Sequence, residues 1–432
     1  MKRLIQIVAL LALSLSAKAQ GAMSLEQAIL YAKQNSLDIK IQEQANASTH
    51  QERIEAVASL LPSLSATSSI YNSYGRSIDP ETNTYTTVGN LSNSYGVSSS
   101  MTLFSGLKKI NALKASQLKV EMGSHSTEQI EDAVAIDVMQ LYFDALYYAQ
   151  SVEIVESQRA AAQELLRLTA KQEELGIKSS ADVALSASQV ASYDLLLTQQ
   201  EGLHMQAMLN LKEAMNFPFN EELTLSHEES TPPATLEGSF DIESNPEYQV
   251  ALSQMDISRT NLRIAQGSYA PTLTLGAGYN NYYYTSFAEG YTPPSLYEQF
   301  KTNYGYYVGA SLSIPIFNNL SYRTAVARSR HSLRTSQIEL QKIELKVSKA
   351  ANQALLNRNN YHKEQLSARA KVEASEIAHA AMLRKFEQGV ATIIDLQSTS
   401  NELLKARAEE LRAKFNYHIE SYLVNYYFNN CE

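Results

Sequence analysis

The chain is poor in cysteine, tryptophan, glycine and charge, and each shortage excludes something. The single cysteine among 432 residues is Cys431, next to the last residue. One thiol can form neither an internal disulfide nor a multi-cysteine metal site. Sixteen glycines are about half the usual ~7% share, too few for a fold organised by glycine-rich phosphate loops. Charged residues make up 19%, below the roughly 25% of an average soluble domain. The net charge of -9 argues against a nucleic-acid binder, which needs a basic face. The eight histidines are scattered, with no His-Glu-x-x-His. There is no Gly-x-Ser-x-Gly elbow either. No enzymatic chemistry, cofactor or metal is expected. His227-Glu228-Glu229 reads as a solvated turn, and Cys431 as an inert free thiol or a tail disulfide between chains. Beyond the N-terminal segment no run reaches the ~18 apolar residues of a transmembrane helix. A chain of this kind that enters a bilayer must do so as a closed β-barrel.

The first residues read as a targeting segment. Lys2 and Arg3 precede an apolar run from Leu4 to Leu15, and Ala17-Lys18-Ala19 supplies small residues where a signal peptidase reads. Residues 1–19 are therefore expected to be a signal peptide, cleaved after Ala19. No cysteine lies nearby to carry a lipid anchor.

The remainder reads as a repeat. Pro62 in Leu61-Pro62-Ser63-Leu64 and Pro271 in Ala270-Pro271-Thr272-Leu273 lie 209 residues apart. Phe104 and Phe317, Gly176 and Gly389, and Asp182 and Asp395 are each 213 apart. One register thus holds across distant landmarks, with a four-residue difference between Pro62 and Phe104, where a variable loop fits. A period this long marks a duplicated unit rather than a solenoid. The first repeat spans 20–216 and the second 241–432. Residues 217–240, with Pro218, Pro232, Pro233 and Gly238, form a linker.

Each half reads as helix, hairpin, long helix, turn, helix. Ser24-x-x-Gln27 resembles a capping box, opening a helix expected to run to about Leu60, before Pro62. Hairpins are expected over about 63–104 and about 272–317. Leu91, Asn93, Tyr95, Val97, Ser99, Met101 and Leu103 alternate with the small or polar Ser92, Ser94, Gly96, Ser98, Ser100 and Thr102. Leu273, Leu275, Ala277 and Tyr279 alternate in the same way with Thr274, Gly276, Gly278 and Asn280, and Tyr306, Val308, Ala310 and Leu312 with Tyr307, Gly309, Ser311 and Ser313. A period of two marks strands with one greasy and one wet face. Their length is about that of a bilayer span, and tyrosines crowd the strand regions as interfacial girdles do. Four strands cannot close a barrel, which takes about eight, so copies must pool them; two or three copies would serve.

Long helices are expected over about 107–175 and about 320–388. A helix of about 68 residues is about 100 Å long. Ile130, Val134, Val138, Leu141 and Ala145 mark one seam. Leu333, Leu340, Val347 and Ala354 mark another at heptad spacing. The tip turns fall at 176–181 and 389–394. Gly176 and Gly389 end the long helices, where left-handed backbone suits glycine. Ser179-x-x-Asp182 and Thr392-x-x-Asp395 then resemble capping boxes, with Asp in place of Glu. Phe386, one turn before Gly389, either packs the tip or is an ordinary core aromatic.

In their order, spacing and duplication these pieces resemble the TolC-type outer-membrane efflux protein family. The resemblance rests on Ser24-Leu25-Glu26-Gln27-Ala28 with Asn35, the two Pro-containing strand starts, Ile314-Pro315-Ile316-Phe317, and Gly-x5-Asp at Gly176/Asp182 and Gly389/Asp395. It implies an α+β membrane protein and a homotrimer sharing a twelve-stranded β-barrel in the lipid of a Gram-negative outer membrane. A hollow helical cylinder would extend into the periplasm. A periplasmic adaptor and an inner-membrane pump would engage its tip, with Gly176, Lys178, Ser179, Asp182, Phe386, Gly389 and Thr392 at that contact. Asp395 would belong to a carboxylate ring forming the pore gate. The chain departs from the family at Asn318-Asn319, where a glycine pair is common, and at Ala391 and Ser398, where some members carry Arg and a second Asp. A duct dedicated to polypeptide secretion and a non-conducting periplasmic rod remain the alternatives.

Overall fold

A computed structural model describes residues 22–79, 83–226 and 240–428. The expected signal peptide, His227-Glu228-Glu229, Pro232, Pro233, Gly238 and Cys431 lie outside the described residues. In chain order the elements are α1 (Leu25–Asn35), α2 (Leu37–Ala58), β1 (Ser63–Ser73), β2 (Ser77–Ile78), β3 (Tyr85–Thr86), β4 (Asn90–Ser105), α3 (Lys108–Glu174) and α4 (Ser180–Ala214). The second half follows with α5 (Pro246–Gly267), β5 (Thr272–Ser286), α6 (Leu296–Thr302), β6 (Gly305–Ser313), α7 (Ser321–Glu387) and α8 (Ile393–Phe428). The chain divides into two compact units. One holds Gln44–Ser124 and Val250–Gln341; the other holds the residues up to Glu43, His125–Gln249 and those from Lys342 on.

The first unit is built on one antiparallel sheet in the order β1-β4-β5-β6. Its register aligns the period-two patterns of all four strands. Leu64↔Ser99, Ala66↔Val97, Val97↔Tyr279, Ala277↔Val308 and Leu273↔Leu312 are direct pairs. Directly opposed residues share a face, so the large apolar side chains gather on one side. Ser63↔Ser100, Ser65↔Ser98, Ser98↔Gly278 and Gly276↔Gly309 stand on the other. The apolar side is uncovered in the single chain: Leu64, Val308 and Leu312 are 77%, 77% and 61% exposed. Among the described residues the outer edges of β1 and β6 have no strand partner.

The strands depart from the simplest reading in three places. Alternation in β4 breaks at Leu103, because the register shifts between Thr102 and Phe104 and Phe104 takes the place opposite Leu273. Leu103 is thus the extra residue of a β-bulge. The second hairpin, expected to reach 317, ends as strand at Ser313; Pro315 two residues on has no N–H for a ladder. A short helix not foreseen, α6, lies between β5 and β6. Its Gln299 side chain accepts from the Tyr284 N–H at 2.9 Å and donates to the Tyr284 carbonyl at 2.9 Å. It serves as a one-residue substitute strand where β5 outruns β6.

The strand-to-helix turns use the same backbone in both halves. Gly106 and Leu107 have φ of +65° and +60°, and Asn319 and Leu320, 213 residues later, have +55° and +63°. Asn tolerates the left-handed region better than other residues with a Cβ, so Asn319 fills the place glycine takes in the first half. Asn318 donates to Ser321 Oγ at 2.8 Å and braces the second turn. A Cβ on Gly106 would strike the Gly267 carbonyl oxygen, and one on Gly267 the Gly106 carbonyl oxygen. The two backbones touch there.

The other unit is helical, and its main core gathers Leu25, Ala28 and Ala32 of α1, Val138, Tyr142, Phe143 and Leu146 of α3, Ala207 and Leu211 of α4, and Leu411 and Phe415 of α8. Apolar residues on α3 here span more than a seam, because three helices cover it. The single first helix expected up to about Leu60 is broken at Ser36, which is extended at φ -53°, ψ 131°. Ser36 N–H closes α1 on Ala32 O at 2.7 Å, and Ser36 Oγ accepts from Ile39 N–H at the start of α2. The carbonyl of Asn35, freed by the break, accepts from Lys40 Nζ and from Asn216 Nδ2. Residues 217–226 of the expected linker are docked. Phe217, Leu223 and Leu225 are buried in this core, Leu225 pairs in parallel with Met23, and the Tyr142 hydroxyl reaches the Met23 and Ser226 carbonyls at 2.9 and 3.1 Å. On α7, Val347 and Ala354 are buried, as is Ala351. None of the described helices is long and apolar enough to cross a membrane.

Gly106→Ala should destabilise the protein by more than about 1 kcal/mol, since it forces a Cβ into left-handed backbone and into the Gly267 carbonyl. Gly309→Ala, with open space at its Cβ, should be near neutral. Thermal unfolding in detergent compares the two; equal midpoints would refute the close contact.

Candidate functional site

The candidate site residues lie at the two helix–turn–helix junctions of the helical unit. Both turns are Schellman motifs. Gly176 has φ +74°; its N–H donates to Glu173 O at 2.8 Å and that of Ile177 to Gln172 O at 2.8 Å. Gly389 has φ +76°; its N–H donates to Phe386 O at 3.0 Å and that of Val390 to Lys385 O at 2.9 Å. These bonds satisfy the last carbonyls of α3 and α7 and reverse the chain.

Three residues after each glycine the next helix is capped from its own sequence. Asp182 N–H donates to Ser179 Oγ at 3.2 Å, while Ser179 N–H and Oγ–H donate to Asp182 Oδ2 at 3.0 and 2.8 Å. Thr392 and Asp395 repeat this at 3.2, 3.0 and 2.6 Å. The bonded backbone N–H and hydroxyl of Ser179 hold the Asp182 carboxyl below the usual carboxylate range. The Thr392 hydroxyl, then its N–H, does the same for Asp395. A ring of like charges would instead push Asp395 up. In the single chain, capping decides its titration.

The turns differ in what lies behind them. Phe386, Ile393 and Leu396 form a buried cluster across the second turn, with Leu165, Met382 and Ala391 against it. Their counterparts 213 residues earlier are Glu173, Ser180 and Val183, of which Glu173 and Ser180 are exposed. Phe386 therefore packs against the second turn. Lys178 of the first turn sets its ammonium 4.2 Å from the centre of the Phe386 ring, a cation–π contact that brings two of the expected residues together across the repeats.

Sequence reasoning missed the polar seam just behind the turns. The Tyr193 hydroxyl, on a side chain 3% exposed, lies 3.1 Å from Ser400 Oγ and 3.3 Å from Asn401 Oδ1. Gln189 Nε2 donates to Asn401 Oδ1 at 3.3 Å, and Gln397 Nε2 to Leu185 O at 3.1 Å. Ser400 Oγ donates to Gln158 Oε1 at 3.4 Å. A cavity of about 90 Å³ beside this seam is lined in part by Leu165, Tyr193 and His379. Burial, then the Arg407 charge, lowers the His379 pKa. The signal was thin: amides and hydroxyls on polar helix faces look solvated until a partner helix is known. Among the described residues no group of His, Cys, Asp or Glu is placed to hold a metal ion.

Residues 242–422 match the model of the outer membrane efflux protein family. Outer membrane protein TolC of Vibrio cholerae serotype O1 is 22% identical over 322 residues, covering 71% of this chain and 70% of that protein. Among solved structures, a CusC channel superposes with a TM-score of 0.83 at 14% identity over 95% of both chains. The Campylobacter jejuni CmeC outer membrane channel gives 0.81 at 14% over 94% of this chain and 85% of its own. The comparisons agree with the resemblance to TolC-type outer-membrane efflux proteins carried by the sequence.

Two outcomes are expected at the turns. Phe386→Ala empties a buried ring site and should cost about 3 kcal/mol or more, whereas Lys178→Ala should cost under about 1 kcal/mol; urea unfolding in detergent ranks them. Because both cap carboxyls titrate below their unfolded value, their contribution is full above that value, about pH 4, and is lost as pH falls through the folded pKa. Amide exchange at Asp182 and Asp395 should stay slow from pH 7 to 5 and quicken, after correction for intrinsic rates, below about pH 4. Quickening already at pH 6 would contradict the cap geometry.

Proposed function

We propose that the protein is the outer-membrane exit duct of a tripartite efflux or type I export system. Substrates handed over by an inner-membrane pump and a periplasmic adaptor pass through it by gated, passive permeation. The observation that carries this reading is the sheet: an uncovered apolar face, a polar face behind it, and two edges without partners. In lipid an open edge leaves backbone groups unsatisfied, and pairing β1 of one copy with β6 of the next removes every edge. Three copies of a duplicated unit give a shared twelve-stranded barrel, the homotrimer of the family. Residues 1–19, as a cleaved signal peptide, would bring the chain to that membrane, and the helices would extend into the periplasm. Transport of this kind needs no covalent step.

In this reading Gly176, Lys178, Ser179, Asp182, Phe386, Gly389 and Thr392 form the periplasmic tip that meets the adaptor, and Asp395 marks the gate. With Ala391 and Ser398 where some relatives carry Arg and Asp, the Thr392–Asp395 cap is the gate's main fixed acid. Copies of Asp395 brought together around an axis would repel, so closure would work against the cap's preference for the ionised form.

Outer-membrane fractionation with planar-bilayer recording tests the duct. The mature protein should fractionate with the outer membrane and give discrete conductance steps; a rod gives none. Asp395→Ala should raise the closed-state current, and an unchanged current would remove Asp395 from the gate. Cysteine crosslinking from Lys178→Cys and Thr392→Cys should capture the adaptor, and no product at either position would count against the tip assignment.

A further inference from the structure

The four long strands carry no charge at all. None of the 11, 16, 15 and 9 residues of β1, β4, β5 and β6 is Asp, Glu, Lys, Arg or His, in a chain of which 19% is charged. On the apolar face this is what lipid demands. On the polar face lipid imposes nothing, and a wall bathed in water tolerates charge freely. Yet that face is built of hydroxyls and glycines. Its rows across the sheet read Ser63–Ser100–Gly276–Gly309, Ser65–Ser98–Gly278–Tyr307 and Thr67–Gly96–Asn280–Gly305.

The hydroxyls also bond sideways to one another. Ser63 Oγ lies 3.1 Å from Ser100 Oγ, and Ser65 Oγ 3.0 Å from Ser98 Oγ. Tyr307 lies flat on the wall, since a Cβ added to Gly278 would meet its ring at 2.6 Å. Charge resumes where the strands stop: Lys108 and Lys109 follow β4, and Glu298 and Lys301 sit on α6.

Pores select ions by rings of charged side chains or by aligned carbonyl dipoles. The polar face has no charged ring, and its backbone carbonyls are committed to the ladder. We infer that the strand-built part of the conduit is blind to charge: its neutral, hydroxyl-lined wall passes anionic, cationic and zwitterionic solutes alike, and any preference of the whole channel for ions of one sign arises outside the strands. This rests on the duct reading, because it takes the polar face as the wall of the passage.

The test puts charge on the wall after assembly. Ser98→Cys is made in a Cys431→Ser, Asp395→Ala background, so that position 98 carries the only thiol and the gate acid cannot mask the wall. Channels in a planar bilayer under a potassium chloride gradient are then treated with an anionic or a cationic methanethiosulfonate. The anionic reagent should raise the potassium-to-chloride permeability ratio about threefold or more, and the cationic one should lower it comparably, as an unopposed fixed charge does. Val97→Cys, on the lipid side, should respond to neither. Ser311→Cys gives a second wall position should the first fail to insert. No response to either reagent at both wall positions, in conducting channels, would overturn the inference, as would a response to one sign only, which betrays a dominant charge already present. Absence of conductance in the unmodified protein would overturn the duct reading instead.

Discussion

Every peptide group at a sheet edge must find a hydrogen-bond partner, and the outer edges of β1 and β6 have no strand partner among the described residues. In water such edges are tolerable; in hydrocarbon each unsatisfied group costs several kcal/mol. Much else follows from that obligation. The apolar side chains are aligned on one face by the strand register, so that the face offered to lipid is continuous from edge to edge. The middle of the sheet is the β4–β5 pair, which joins the two halves of the sequence. The contact of Gly106 with Gly267 brings together the backbone that leaves β4 and the backbone that leads into β5. In the proposed duct, the single chain would be a section of wall whose two borders are left to other copies.

The sheet was legible because membrane strands carry a strong period of two. The alternating runs in β4, β5 and β6 mark their faces before any coordinates are known. The bulge was not legible: Leu103 and Phe104 are adjacent and both apolar, so either could hold the face. The break at Ser36 was hidden for a similar reason, since Asn35-Ser36 is compatible with a helix interior and stops it only when Asn216 is there to take the freed carbonyl. The helix α6 opens on Ser295-x-x-Glu298, a full capping box, which went unread inside the expected hairpin.

At the turns the local chemistry was readable and the packing was not. Glycine followed by Ser/Thr-x-x-Asp identifies both reversals, and the hydrogen bonds are those the pattern calls for. The cluster of Phe386, Ile393 and Leu396 straddles a glycine turn, which interrupts the helical period that normally reveals a core. Lys178 gave no hint of its aromatic partner, more than two hundred positions away along the chain. The seam of Tyr193, Ser400 and Asn401 is likewise a product of tertiary placement alone.

The two reversals share a backbone and differ in what backs them. The second rests on a dry aromatic and aliphatic plug; the first has Glu173, Ser180 and Val183 in those places and sets Lys178 over the plug's Phe386 ring. In any closed ring built from this chain, firm and yielding hairpins must therefore alternate. A docking protein sensitive to that difference would count subunits rather than hairpins, and its stoichiometry would be set by half of the reversals on display.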